Sequence, residues 1–326
     1  MWIDKTAQTL LPKPHSHTIF TIPHELNPLF FHNMKTLYGI LFEAASKAVM
    51  ELCADPKWLG AKPGLLAVLH TWGSDMIFHP HLHCILSAGG WDDKNLIWVE
   101  PKYLNSGFFI SQKVLAACFK KHFLFAFLAL WEEGNLLLPK DLMQLNNPDD
   151  FKAFYNKIAF NKKWVVKIMP PLDNPQRVID YLGRYIYRIA ITDNRIKEIN
   201  ENDRKVIFEY KDYAAQLDPI SRVKDDKLPP PVKTMPLDAI EFIRRFSQHV
   251  LPKGFQKTRY SGIYATASRK KLLPIILIFL GNLVGKMSVP IPLRSVCQII
   301  MAFTGVNPNL CPCCGAEKLK IGRAHV

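Results

Sequence analysis

"GLLAVLHTWGSDMIFHPHLHCILS", residues 64–87, reads as two strands and the turn that joins them. Residues 64–72 and 78–87 are rich in apolar, branched and aromatic side chains, and the polar "GSDM" interrupts them. The pair predicts an antiparallel hairpin. Side chains alternate along a strand, so His79, His81 and His83 share a face, with His81 and His83 about 7 Å apart. A turn centred on "GSDM" sets His70 opposite His81, within cross-strand reach. Four histidines within fourteen residues, three of them in alternation, are hard to account for by packing. His81 and His83, with His70 or His79 as the third donor, predict a metal site with open positions, as a catalytic ion needs.

Working outward, "HTIFTIP" (17–23) alternates as a strand and closes at Pro23. "NMKTLYGILFEAASKAVMELC" (33–53) places Leu37, Leu41, Ala44, Ala48 and Leu52 on one helical face, with Asn33 as N-cap. Downstream, "LIWVEP" (96–101) adds a strand, and residues 111–133 form a long helix buried over much of its surface. "KKWVVKIMP" (162–170) is a strand stopped by prolines. "NPQRVIDYLGRYIYRIAI" (174–191) is a helix opened by Asn174 and Pro175. This order predicts an α+β chain, with helices packed on a mainly antiparallel sheet. Beyond a polar stretch at 192–205 come a strand at 206–213, an exposed proline-bearing loop at 218–235 and a helix at 237–251. A basic segment interleaved with Tyr260 and Tyr264 follows, then a helical stretch and "CPCCG" (311–315).

The second chemical constellation is the helix "YLGRYIYR" (181–188). Tyr181 and Tyr185 stand at i and i+4, so their phenols leave one face a turn apart, and Tyr187 is rotated away among isoleucines. Arg184 and Arg188 lie beside the pair and suit phosphate contacts. A phenol with a pKa of about 10 needs activation before it attacks a phosphodiester. A divalent ion polarising the phosphoryl oxygen lowers that barrier, and the histidine strand could hold one. The two motifs make more sense together than apart.

Composition points the same way. The 326 residues carry 42 Lys and Arg against 28 Asp and Glu, a net charge of +14, which favours nucleic acid first and an acidic membrane surface second. Only Cys311, Cys313 and Cys314 of the seven cysteines cluster, so no disulfide framework is expected and a reducing compartment fits. The first fifteen residues resemble neither a signal nor a transit peptide. The longest apolar run, from Leu272, is broken by Pro274, Gly281 and Asn282 and falls short of the ~20 residues of a membrane span. It is expected to be a buried helix in a cytoplasmic protein with no membrane partner.

"HPHLHC" on a strand, preceded by "VLHTWG" and followed by "YLGRYIYRIAI", resembles the two-tyrosine HUH endonucleases, and most of all the bacterial rolling-circle insertion-sequence transposases. "FTIPHELNP", "FEYKDY" and "EFIRRFSQHVLPKGF" support the likeness, which runs from about residue 8 to about 270. The resemblance implies a central antiparallel HUH-type sheet, with the tyrosine helix lying over the histidine strand. It implies that His81 and His83, with His70 as the favoured third ligand, bind Mg²⁺ or Mn²⁺ at the scissile phosphate. It implies further that Tyr181 and Tyr185 attack single-stranded DNA at element ends and target, each forming a 5′-phosphotyrosine and freeing a 3′-hydroxyl. Arg184, Arg188 and Arg259 are the expected phosphate contacts.

The expected organisation is an N-terminal extension (1–14), a nuclease domain (15–200), a basic DNA-binding extension (201–275) and a smaller, mostly helical C-terminal region (276–326). Relatives commonly carry a cysteine-rich segment before the nuclease, and this chain is expected to start after it. The final "IGRAHV" resembles translated sequencing adapter, so the natural C-terminus is expected to differ. Cys311 and Cys314 form a CxxC that leaves a structural Zn²⁺ open, since no second pair follows. The competing functions are a related replication initiator or relaxase, a truncated remnant that only binds DNA, and a hydrolase using Asp75 or Asp92 beside the histidines. A non-catalytic binder working through residues 244–271 is the remaining alternative.

Overall fold

The computed structural model describes residues 10–102, 110–172, 183, 189–213, 230–284 and 310. The hairpin forms as its sequence dictates. Strand β2 (Gly64–Trp72) pairs antiparallel with β3 (Phe78–Ser87), with His70 opposite His81 and a register shift between His70 and Trp72. That shift accommodates Pro80, which can donate no ladder hydrogen bond. On the other side of β3, β1 (His15–Thr21) pairs only as far as Thr21 opposite His81, so Pro80 breaks no bond there either.

Two more strands complete an antiparallel sheet: β6 (Val165–Ile168) beside β1, and β10 (Thr258–Gly262) beside β2. The spatial order is β10-β2-β3-β1-β6. The edge strand β10 comes from within the segment expected to be a separate basic extension, so the central sheet does not end at residue 200. Two short strands, β4 (Gly90–Asp92) and β5 (Ile97–Val99), form a ribbon of their own. A further sheet, β7 (Ile196–Asn200), β8 (Lys205–Lys211) and β9 (Val232–Asp238), stands by the hairpin turn. Strand β9 corrects the expectation of a loop through residue 235, although residues 214–229 lie outside the described ones.

The two faces of the central sheet are covered differently. Phe20, Leu65, Ala67, Leu69, Leu82, Cys84, Leu86, Val166 and Ile168 face the main core. They meet α2 (Met34–Ala54), which follows the short α1 (Asn27–His32), and α3 (Gln112–Glu132). Leu37, Leu41, Ala44 and Ala48 of α2 are buried as the periodicity predicts, whereas Leu52 is only half-buried. Asn33 does not cap α2 with its side chain; its amide bridges to the backbone of Leu29 and Leu137. Helix α3 is, among the described residues, the one helix long and apolar enough to cross a membrane by length and composition. Its Phe119 and Phe123 pack against Phe20, Phe30 and Trp164 in the core, and Phe127 packs on Phe123, which accounts for that apolarity. Helix α4 (Pro148–Phe160) is capped by Asn147, whose side chain accepts from the N–H groups of Asp149 and Asp150.

On the opposite face, Leu66, Val68 and Ile85 pack with Trp91, Trp98, Ile263, Tyr264 and α6 (Thr266–Val284). The apolar run from Leu272 is thus helical, with Ile276 and Leu280 buried and Ile275 and Ile278 exposed. Between β9 and β10, α5 (Ala239–Ser247) is capped by the Asp238 carboxylate on Ile240 N–H.

Candidate metal centre on the histidine face

Partners across a sheet point to the same side, so the register assigns the site's face directly. His17, Ile19 and Thr21 of β1, His81 and His83 of β3, and Val68 and His70 of β2 share a side with Lys167 of β6. Helix α6 and the two tryptophans pack on the Leu66–Ile85 end of that side, and the histidines occupy the other end.

His70, His81 and His83 come together, with one ring nitrogen from each lying within 4.8 Å of the others. His81 Nε2 and His83 Nε2 are 3.1 Å apart, and the His70 ring centroid is 4.6 Å from that of His83. His79 belongs to a different role. Its backbone carbonyl lies 2.7 Å from His81 Nδ1. A carbonyl only accepts, so His81 Nδ1 carries the proton and Nε2 presents its lone pair. Burial, the larger cause, holds the His81 pKa down to about 4, so the ring is neutral at pH 7.

His83 is fixed from its other edge. Its Nδ1 lies 2.9 Å from His17 Nε2, and the two rings are stacked with planes 1° apart. With His83 Nδ1–H as donor to His17, the Nε2 atoms of His81 and His83 both offer lone pairs into one space. Two acceptors at that separation repel unless a cation or proton lies between them, so the donor set fits a divalent ion. His70 is braced by Trp72, stacked at 4.9 Å. His17, which no sequence motif singled out, is 3% exposed, and its pKa is lowered to about 4 by burial and by neighbouring His81 and Lys167.

Other expected residues lie elsewhere. Arg259 pairs opposite Ala67 and so belongs to the helix-covered face, where its guanidinium lies over the rings of Phe42 and Phe255. Asp75 accepts Ile77 N–H in the hairpin turn, and Asp92 accepts from Lys94 and Asn95. Neither joins the histidine group, so the hydrolytic alternative finds no carboxylate there among the described residues. Tyr181, Arg184, Tyr185, Arg188, Cys311 and Cys314 all lie outside the described residues. Glu51, Cys118 and His122 also converge, but Glu51 already pairs with Lys121 and His122, and burial pushes the Cys118 thiol up to about 11.

Comparison with known proteins supplies the biological frame. The chain is 34% identical over 318 residues to "Putative transposase y4qJ" of Sinorhizobium fredii, covering 96% of this chain and 74% of that protein. It is 25% identical over 326 residues to "Transposase for insertion sequence element IS801" of Pseudomonas savastanoi pv. phaseolicola, covering 97% of this chain and 69% of that protein. No solved structure matches it. The family Y2_Tnp, described as "Putative transposase", matches residues 64–271, a span that holds the hairpin, the histidine cluster and the sequence "YLGRYIYR", and the chain belongs to that transposase family.

Proposed function

We propose that this transposase nicks and rejoins single-stranded DNA through a 5′-phosphotyrosine intermediate, in rolling-circle transposition. The observation that carries the reading is the convergence of His70, His81 and His83 with the His81 tautomer fixed by the His79 carbonyl. His81, His83 and His70 would hold a divalent ion, Mg²⁺ or Mn²⁺, which supplies Lewis-acid stabilisation of charge on a phosphoryl oxygen. The nucleophiles are Tyr181 and Tyr185, which stand at i and i+4 in the sequence, a spacing suited to two phenols serving one site. The phenol oxygen of one attacks the phosphorus, a P–O bond to tyrosine forms, and the bond to the 3′-oxygen breaks. The freed 3′-oxygen takes a proton and leaves as a hydroxyl. Attack by a 3′-hydroxyl on the phosphotyrosine reverses the exchange, and no outside energy source is needed because the bond count is unchanged. Arg184 and Arg188, beside the tyrosines in sequence, are suited to neutralise the phosphate. The partner is single-stranded DNA at element ends and target.

The test is incubation with labelled single-stranded oligonucleotides spanning element ends, with Mn²⁺ or Mg²⁺, followed by denaturing electrophoresis. A covalent protein–DNA adduct is expected, reduced in Tyr181→Phe or Tyr185→Phe and abolished in the double variant. An adduct that persists in the double variant sinks the tyrosine assignment, and no adduct from the parent protein sinks the mechanism.

A further inference from the structure

The start of β3 and the C-terminal end of α5 flank an open cleft of about 320 Å³, lined by Ile77, Phe78, Arg244, Arg245 and Gln248. We propose that this cleft is a subsite for one unpaired base of the DNA strand, beside the phosphate that is cut. The proposal rests on the single-strand reading of the histidine site and adds a place where that strand is recognised.

Its size is at the lower end of the ~300–1,000 Å³ of small-ligand sites, suited to one flipped-out base rather than a duplex. Its chemistry is that of a base site. Ile77, half exposed, and Phe78 give an apolar wall for the face of a ring. The Gln248 amide offers a donor and an acceptor to a base edge, and it has no side-chain hydrogen-bond partner among the described residues. Arg244 holds Glu241 through Nε and Nη2, at 2.6 and 2.8 Å, which fixes the guanidinium and leaves Nη1 for a phosphate. Two guanidinium groups against one carboxylate leave the rim positive.

The walls are held in place before any strand arrives. Arg245 Nη1 donates to Asp75 O at 3.1 Å, and the His249 ring lies 3.1 Å from Met76 O and 3.2 Å from Thr71 Oγ1. The same ring stacks on Phe78 with planes 14° apart. These bonds tie α5 to the hairpin turn, so the recognition groups sit on rigid elements and little ordering is needed on binding. Phe78 opens the strand that carries His81 three residues later, about 10 Å along it. Trp72, stacked on His70, and Phe78 both meet the His249 ring, so one aromatic contact links the cleft wall to the histidine group, and the DNA strand is taken to run between them.

The experiment uses the full chain, chelator to prevent cutting, and fluorescence anisotropy with single-stranded element-end oligonucleotides. Each oligonucleotide carries an abasic residue at one position flanking the nick. For the parent protein, one abasic position is expected to weaken binding about tenfold. Gln248→Ala and Arg244→Ala, neither of them a core residue, are expected to weaken binding to the intact strand several-fold. In Gln248→Ala, the sensitive abasic position should then cost little more. If both variants bind and discriminate like the parent, and the protein still forms the tyrosine adduct, the subsite is wrong and the nuclease reading stands. If the parent binds no single strand and forms no adduct, the nuclease reading fails and the subsite falls with it.

Discussion

His17 shows how much of the proposed metal site would depend on a residue outside the three ligand candidates. Its Nε2 meets His83 Nδ1 at 2.9 Å, from a strand 66 residues away in sequence. Because burial holds it neutral, His17 Nε2 can accept a hydrogen bond from His83 Nδ1–H, the tautomer that leaves His83 Nε2 free to bind an ion. His17→Ala is expected to reduce Mn²⁺ affinity about 10- to 100-fold, with the fold intact, and His17→Gln to recover part of it, since the amide oxygen can accept the same bond. Titration calorimetry with Mn²⁺ measures this directly, and His17→Ala binding like the parent refutes the role. The same residue marks a limit of sequence reading. His70, His81 and His83 are legible because alternation and a short turn are local, and their mutual positions follow from the register. His17 carries no such signal. It reaches the site because β1, early in the chain, inserts beside β3, and that pairing is a tertiary fact.

At the scale of elements, the junction of β10 with β2 depends on a glycine. Gly64 faces Gly262 across the pair, and a Cβ on it would fall 2.5 Å from Cε2 of Tyr264. That ring cannot retreat cheaply: it is fully buried, and its hydroxyl lies 2.7 Å from His15 Nε2 and accepts Leu11 N–H. Gly64→Ala is therefore expected to cost about 1–3 kcal/mol through overpacking, read as a lower urea midpoint with an unchanged slope. A midpoint equal to the parent's would show that the ring yields freely. Helices α2 and α3 and the hairpin were legible from periodicity, since each buries an apolar face, whereas the short α1 and α4 carried no expectation. Strands β9 and β10 were not. The sequence of β10, "TRYSG", reads as polar and basic, yet it is an edge strand whose Arg259 is half-buried, with its guanidinium over the rings of Phe42 and Phe255. In β9 the prolines suggested a loop, but β9 is the edge of its sheet, where Pro236 is tolerated.

Across the whole molecule, the sheet lies between a helical layer and a second apolar cluster, and its polar residues are buried with it. His15, His17 and His81 each have a pKa lowered to about 4, with desolvation the leading cause in all three. In the unfolded chain they titrate near 6.5. Between about 6.5 and 4 the unfolded state binds more protons than the native state, so stability falls as the pH is lowered through that window. Above it the three contribute no pH dependence. For His15, wholly buried against Tyr264, the displacement corresponds to roughly 3 kcal/mol lost by pH 4. His15 stands outside the metal group, which separates the two sources of acid sensitivity. Urea unfolding between pH 7.5 and 4.5 in chelator should show the steep loss, and His15→Gln should flatten its slope by about one proton. Added Mn²⁺ should stabilise parent and variant equally at neutral pH and lose that effect as the ligand histidines protonate. A slope in His15→Gln equal to the parent's would mean that this histidine is already protonated in the folded protein, and that the interior is wetter than its packing implies.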